Sequence, residues 1–190
     1  PPYIKSDLAD AERYQTVYAS RTGSVAAPTA GLHFTPGMLT ELREMGVEEG
    51  YVDLLIGLDT FRPVREDEVE EHPMHSEELE VGEDACALVN RTRSSGGRAV
   101  AVGTTVVRSL ETAWREGGLQ PLRGSTELFI YPGYRFACTD ALLTNFHLPR
   151  STLLMLVCAF GGRELILDAY REAIEARYRF YSFGDAMLII

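Results

Sequence analysis

Lysine is all but missing from this chain: Lys5 is the only one, and arginine carries the remaining basic charge. With 18 Lys and Arg against 28 Asp and Glu, the formal net charge is -10. That balance excludes bulk attraction to a polyanion and leaves only local arginine patches for an RNA contact. The cysteines Cys86, Cys138 and Cys158 are odd in number, far apart and without C-x-x-C spacing. This argues against a disulfide framework or a zinc ribbon and predicts reduced thiols in a cytoplasmic protein. No apolar run reaches the roughly 18 residues of a membrane span, and Pro1-Pro2-Tyr3-Ile4-Lys5 has the pattern of neither a signal nor a transit peptide, so no membrane partner is expected. A P-loop and a G-x-G-x-x-G fingerprint are also missing, which removes the usual nucleotide assignments.

What remains is 190 residues with 45% hydrophobic and 24% charged content, ordinary for one domain that buries a full core. A single α/β domain over residues 1–190 is expected. The pattern predicts helices over Asp7–Ala19 with Asp10 or an earlier polar residue as cap, Pro36–Met45 closed by Gly46, Glu83–Ser94, Val106–Glu116, Thr152–Phe160 and Glu164–Tyr178. Strands are expected over Tyr51–Leu58 with its even positions inward, around Leu79 and Val81, over a buried Arg98–Val102, over Thr126–Tyr131, through Asn145 and His147 on one face, and within Phe183–Ile190. Their alternation with helices points to an α/β fold with a mixed, largely parallel sheet flanked by helices.

Three stretches suggest chemistry. In Val25–Gly37, Thr35-Pro36 is an N-cap followed by proline at the first helical position, and the bare amides beside the dipole's positive end suit an anion. His33 lies two residues before that cap, although the stretch by itself reads first as an apolar loop that packs under a sheet with His33 as a satisfied partner. Gly103-Thr104-Thr105 follows a strand and opens a helix, which fits an anion or ribose site, although Thr104 serving only as an N-cap fits as well. In Thr139–Thr152, Asn145 and His147 precede the Pro149 turn, and Ser151 caps the next helix. His72 and His75 invite a metal reading, but Pro73 breaks helical geometry and no second cluster completes a shell, so no metal is expected.

A resemblance rests on longer blocks. R-Y-Q-T-V-Y-A (Arg13–Ala19), A-A-P-T-A-G-L-H-F-T (Ala26–Thr35), M-H-S-E (Met74–Glu77), V-G-T-T-V-V-R-S-L-E (Val102–Glu111), F-I-Y-P-G-Y (Phe129–Tyr134), L-L-T-N-F-H-L-P-R-S-T-L-L-M-L (Leu142–Leu156) and Y-R-F-Y-S-F-G-D-A-M-L-I (Tyr178–Ile189) resemble the S-adenosylmethionine:tRNA ribosyltransferase-isomerase family of queuosine biosynthesis. The resemblance covers roughly the second half of the family's usual chain. It implies the larger part of the family's catalytic α/β domain, with the inserted barrel-like domain outside this sequence, as in a fragment or a shortened homologue. It also implies a transferase that moves and isomerises the ribosyl group of S-adenosylmethionine onto 7-aminomethyl-7-deazaguanine in a tRNA anticodon, giving epoxyqueuosine and releasing adenine and methionine.

S-adenosylmethionine is then a consumed substrate and no cofactor is expected; a monomer acting on the tRNA anticodon loop is. A sulfonium acidifies the adjacent ribose carbon, so an imidazole or carboxylate must take that proton and a second group must assist departure of adenine. By the resemblance the catalytic candidates are His33, His75, Glu77 and His147. Thr35, Arg62, Gly103, Thr104, Thr105, Arg108, Tyr131, Asn145 and Arg150 are the candidates for substrate binding, the arginines for a carboxylate or phosphate, and Tyr131 with Tyr134 for stacking on a base.

The chain departs from the family pattern at Asp53, Leu55 and Asp59, where threonine, histidine and glycine are usual. These positions share one strand face. Either ligand recognition has been redirected or that face is a tolerant solvent face. A diverged non-catalytic homologue that binds a nucleoside or tRNA is therefore the alternative, and an ordinary methyltransferase is disfavoured by the missing glycine-rich loop.

Overall fold

Hydrogen bonding divides the described strands into two three-stranded sheets and one short hairpin. The computed structural model describes residues 10–20, 24, 26–55, 69, 72–74 and 76–190. In chain order its elements are α1 (Pro36–Glu44), β1 (Asp53–Leu55), β2 (Glu77–Val81), α2 (Glu83–Ser94), β3 (Val100–Val102), α3 (Thr104–Ala113), β4 (Trp114–Arg115), β5 (Gly118–Leu119), β6 (Leu122–Thr126), β7 (Ala141–Asn145), α4 (Thr152–Gly161), α5 (Arg163–Glu175) and β8 (Ala186–Ile189).

One sheet has the order β1-β2-β6 and the other β3-β7-β8, while β4 and β5 form the hairpin. Only β3 and β7 pair in parallel; the other described pairs are antiparallel. The fold is thus mixed α/β as expected, but not largely parallel. The reason lies in the connections, since a parallel pair needs a crossover between its strands. α3 lies within the one crossover, between β3 and β7. α4 and α5 instead follow each other across Gly162, and the chain returns antiparallel as β8.

Two cores lie on either side of α3. Ala101, Val107, Leu142, Phe146, Leu156, Val157, Ile166 and Tyr170 form one beneath β3-β7-β8. Leu79, Val81, Cys86, Leu110, Ala113, Leu119 and Cys138 form the other, with Val52 and Leu54 packed against it. Full burial of a side chain such as Leu142 contributes roughly 1.5–3 kcal/mol. The three cysteines are free thiols.

Several boundaries move for physical reasons. In place of the helix expected over Asp7–Ala19, the described residues form a 3-10 turn over Ala11–Tyr14, with Asp10 Oδ1 accepting from the Glu12 amide. The inward positions of Tyr51–Leu58 hold where described, Val52 and Leu54; residues 56–58 lie outside the described set. β3 is an edge strand, so Val100 is exposed while Ala101 is fully buried.

α3 begins at Thr104, because Gly103 at φ 100 takes the cap position, and it ends at Ala113. Gly117 and Gly118, both at positive φ, turn the β4–β5 hairpin instead of ending the helix. Asn90 docks that hairpin like a neighbouring strand, its Nδ2 donating to Leu119 O and its Oδ1 accepting from Leu119 N, both at 2.8 Å. The strand expected over Thr126–Tyr131 lies upstream as β6, in register with β2. Ile130 is buried in the first core without any ladder, so side-chain packing in an irregular segment had imitated strand composition.

Candidate functional site

The β3-β7-β8 sheet gathers distant segments at one end. β3 and β7 run parallel, so Gly103–Thr105 and the residues after Asn145 leave from the same edge. β8 runs the other way, pairing Asn145 with Ala186, so Gly184-Asp185 enters at that edge too. The 3-10 turn Thr29–His33 completes the group, and Ala30 lies beside Gly103. Segments at the carboxyl ends of parallel strands are the usual place for ligands in α/β sheets.

Asn145, 2% exposed, is the centre of this end. Its Oδ1 accepts from Thr29 Oγ1 at 3.0 Å. Its Nδ2 donates to Gly184 O at 3.3 Å and lies 3.3 Å from His33 Nε2. Gly184 has no room for a side chain, because a Cβ there would meet Arg179 O and Phe180 C at 2.5 Å.

An open groove of about 650 Å³ begins beside this centre, lined by His33, Phe34, Met38, Arg177, Tyr178 and Asp185 among others. That volume is of the order that holds a drug-sized ligand. Asp185 accepts from the Arg179 amide at 2.7 Å and its guanidinium at 3.1 Å, and these bonds hold its carboxyl below the ordinary range. Arg177 at φ 60, Tyr181 at φ 73 and Arg150 at φ 55 adopt left-handed backbone. Arg177 lines the groove, and the Tyr181 amide bonds Phe146 O beside Asn145. Such strain costs on the order of 1–3 kcal/mol per residue and concentrates at functional sites.

The remaining expected site residues are placed as follows. Thr35 caps α1, its Oγ1 accepting from Met38 N at 3.2 Å. Thr104 is buried as the first residue of α3, and Thr105 O accepts from Ser109 Oγ. His147 lies beyond the end of β7, so it does not share a strand face with Asn145. Its Nε2 meets Thr144 Oγ1 at 2.9 Å and its amide donates to Tyr170 Oη at 2.8 Å. Burial pushes this imidazole down to about 4, so it is neutral near pH 7.

Glu77 and Arg108 form a buried ion pair with each other, and Arg108 Nε also donates to Leu128 O at 3.1 Å. Tyr131 packs against Phe129 with the rings tilted and 5.1 Å apart, and Phe129 meets His72 edge-on at 5.6 Å. Arg150 is exposed. His75 and Arg62, like Asp59, lie outside the described residues. No group of three metal-ligating side chains occurs among the described residues.

Sequence reasoning missed Thr29, Arg177 and Asp185. Thr29 and Asp185 stand inside quoted blocks, and Arg177 immediately precedes one. It also missed Glu111, a buried carboxylate that accepts from the amides of Ala137, Cys138 and Thr139 at 2.8, 3.0 and 3.1 Å and from Thr139 Oγ1 at 3.1 Å. Burial and that carboxylate push Tyr134 and Cys138 both up to about 12.

The β3-β7-β8 sheet thus ends in one polar centre, Asn145, beside an open groove lined by both signs of charge. The chain belongs to the family described as queuosine biosynthesis protein, which it matches over residues 1–189. It is 62% identical over 191 residues to the S-adenosylmethionine:tRNA ribosyltransferase-isomerase of Moorella thermoacetica, covering 100% of this chain and 56% of that protein. It is 60% identical, with the same coverage, to the protein of that name from Pelotomaculum thermopropionicum. The chain thus spans about half the length of the curated relatives it matches. Among solved structures it is similar to the S-adenosylmethionine tRNA ribosyltransferase of Thermotoga maritima, with a TM-score of 0.72 and 48% identity over 85% of this chain and 51% of that one.

Proposed function

We propose that this chain carries the groove in which S-adenosylmethionine gives up its ribosyl group to a 7-aminomethyl-7-deazaguanine in a tRNA anticodon, with isomerisation to epoxyqueuosine and release of adenine and methionine. The observation that carries the reading is the convergence on Asn145. Thr29 and His33, Asn145 itself, and Gly184 with Asp185 come from three separate sequence blocks and meet beside one groove.

The groove's chemistry suits this ligand. The Asp185 carboxylate complements a sulfonium, the Arg177 guanidinium complements the methionine carboxylate, and Phe34, Met38 and Tyr178 offer apolar surface to the methionine stem and the base. Removal of the proton beside the sulfonium needs a base, and adenine departs more readily against a hydrogen-bond donor. Asp185, with its carboxylate also bound by Arg179, and His33 line the groove and take these roles, whereas His147 and Glu77 are not among its lining residues. The cytoplasm is the compartment where such tRNA chemistry takes place, and we assign the chain there as a monomer. No helix among the described residues is long and apolar enough to cross a membrane.

The test is incubation of the full-length protein with S-adenosylmethionine and tRNA carrying the aminomethyl base, followed by chromatography. Free adenine that appears only with that tRNA is the expected result. S-adenosylhomocysteine in its place would indicate methyl transfer, and binding without any product would indicate a non-catalytic homologue.

A further inference from the structure

We infer that Asn145 is a positioning residue that fixes His33 in one tautomer, so that the imidazole offers the groove an Nδ1–H donor and not a base. The carbonyl of Gly184 decides the matter. A backbone oxygen can only accept, so the amide group of Asn145 that faces it at 3.3 Å must be Nδ2, and Oδ1 must face Thr29 Oγ1. Rotating the amide by half a turn would set Oδ1 against the Gly184 oxygen, acceptor against acceptor, in a site where Asn145 is 2% exposed.

With the amide so fixed, its second N–H points at His33 Nε2, 3.3 Å away. That nitrogen must present its lone pair, because a proton there would put two donors face to face. The ring proton therefore resides on Nδ1, which makes no hydrogen bond to a described residue. His33 lines the groove, and the charged or titratable groups that share it are Asp185, Arg177 and Tyr178. A neutral imidazole that donates from Nδ1 cannot also take a proton there, so His33 acts as the donor that meets the departing adenine. That last step rests on the proposed function; the tautomer does not.

The experiment is a long-range proton–nitrogen spectrum of the full-length protein labelled with nitrogen-15 histidine, recorded at neutral pH without substrate. The His33 signals are assigned by their loss in His33→Gln. The expected spectrum has His33 Nε2 unprotonated and Nδ1 protonated; an Nε2–H signal overturns the inference. In Asn145→Asp a carboxylate oxygen accepts where Nδ2 donated, and the proton moves to Nε2; a folded variant with an unchanged tautomer overturns it too. Should that variant not fold, Thr29→Val serves instead. It leaves the Gly184 contact, so the parent tautomer is expected to persist, and a switch would contradict the assignment of the lock to Gly184. With substrate, the Asn145→Asp exchange lowers the adenine-release kcat by about a hundredfold with little change in KM. A tautomer switch without a rate change would remove the donor role and leave the lock standing, whereas a parent protein that releases no adenine would refute the proposed function alone.

Discussion

Glu111 and Asn145 each stand at a buried polar centre, and the two centres are built in opposite ways. Glu111 sits on α3 and is saturated: three backbone amides and a hydroxyl of residues 137–139 converge on its two oxygens. Asn145 sits at the end of β7 and holds only what it needs to orient, with Thr29 on one side and Gly184 and His33 on the other, and a groove begins beyond His33. A fully satisfied buried carboxylate rigidifies, while an oriented side chain with one free functional atom on a groove can meet a ligand. Both come from blocks shared with the family, so similarity alone does not tell scaffold from site. The hydrogen-bond geometry does.

The comparison breaks most forcefully at Glu111. Glu111→Ala leaves three amides without their acceptor, with an expected loss of roughly 3–5 kcal/mol in denaturant unfolding. A loss below about 1 kcal/mol would mean that water replaces the carboxylate readily and that the centre is not saturated by design.

The next effect is set by pH. His147 has a folded-state pKa near 4 against an ordinary 6.5, so the unfolded chain takes up a proton first as pH falls. Its contribution is fully present above about 6.5, declines through the window down to 4 and is flat below, a total of roughly 3 kcal/mol. Unfolding free energy measured across that window should fall less steeply in His147→Gln than in the parent, and equal slopes would show the imidazole to be accessible to protons in the folded state.

Thr35 sharpens the boundary between the two kinds of residue, since it lies next to the groove yet caps α1. Thr35→Ser should keep both stability and adenine release, and Thr35→Ala should lose about 1 kcal/mol in thermal unfolding. A loss of rate in Thr35→Ala beyond what its folded fraction explains would move Thr35 into the site. The smallest effect is expected at Leu55, which is 44% exposed and lies opposite Glu78 on β2, on the sheet that does not carry Asn145. That placement supports the solvent-face reading at Leu55, while Asp59 lies outside the described residues. Leu55→His should shift stability by no more than about 0.5 kcal/mol. Sequence reasoning had also allowed a redirected ligand face, for which restoring Leu55→His with Asp59→Gly should raise the rate at least about tenfold.

Much of this organisation was legible locally. Thr35 and Ser151 as caps, α2 at its observed limits, and the inward positions Val52 and Leu54 follow from signals within a few residues. What was illegible depends on partners far along the chain. The direction of β8 is set by two consecutive helices, and the end of α3 by a hairpin that Asn90 docks, so neither could be read from its own residues. The pairing of Glu77 with Arg108 joins two expected site residues to each other across 31 positions of sequence. Asp185 reaches the groove because β8 starts where β7 ends, a consequence of register and not of its local pattern.

The most direct test measures adenine release and thermal stability together on His33→Gln and Glu111→Gln in the full-length protein. The two-centre account predicts that His33→Gln loses about a hundredfold in rate with Tm within about 3 °C of the parent, while Glu111→Gln loses several degrees and keeps the rate of its folded fraction. The reverse pattern, a stable and inactive Glu111→Gln beside an active His33→Gln, would place the chemistry at the wrong centre and contradict the account.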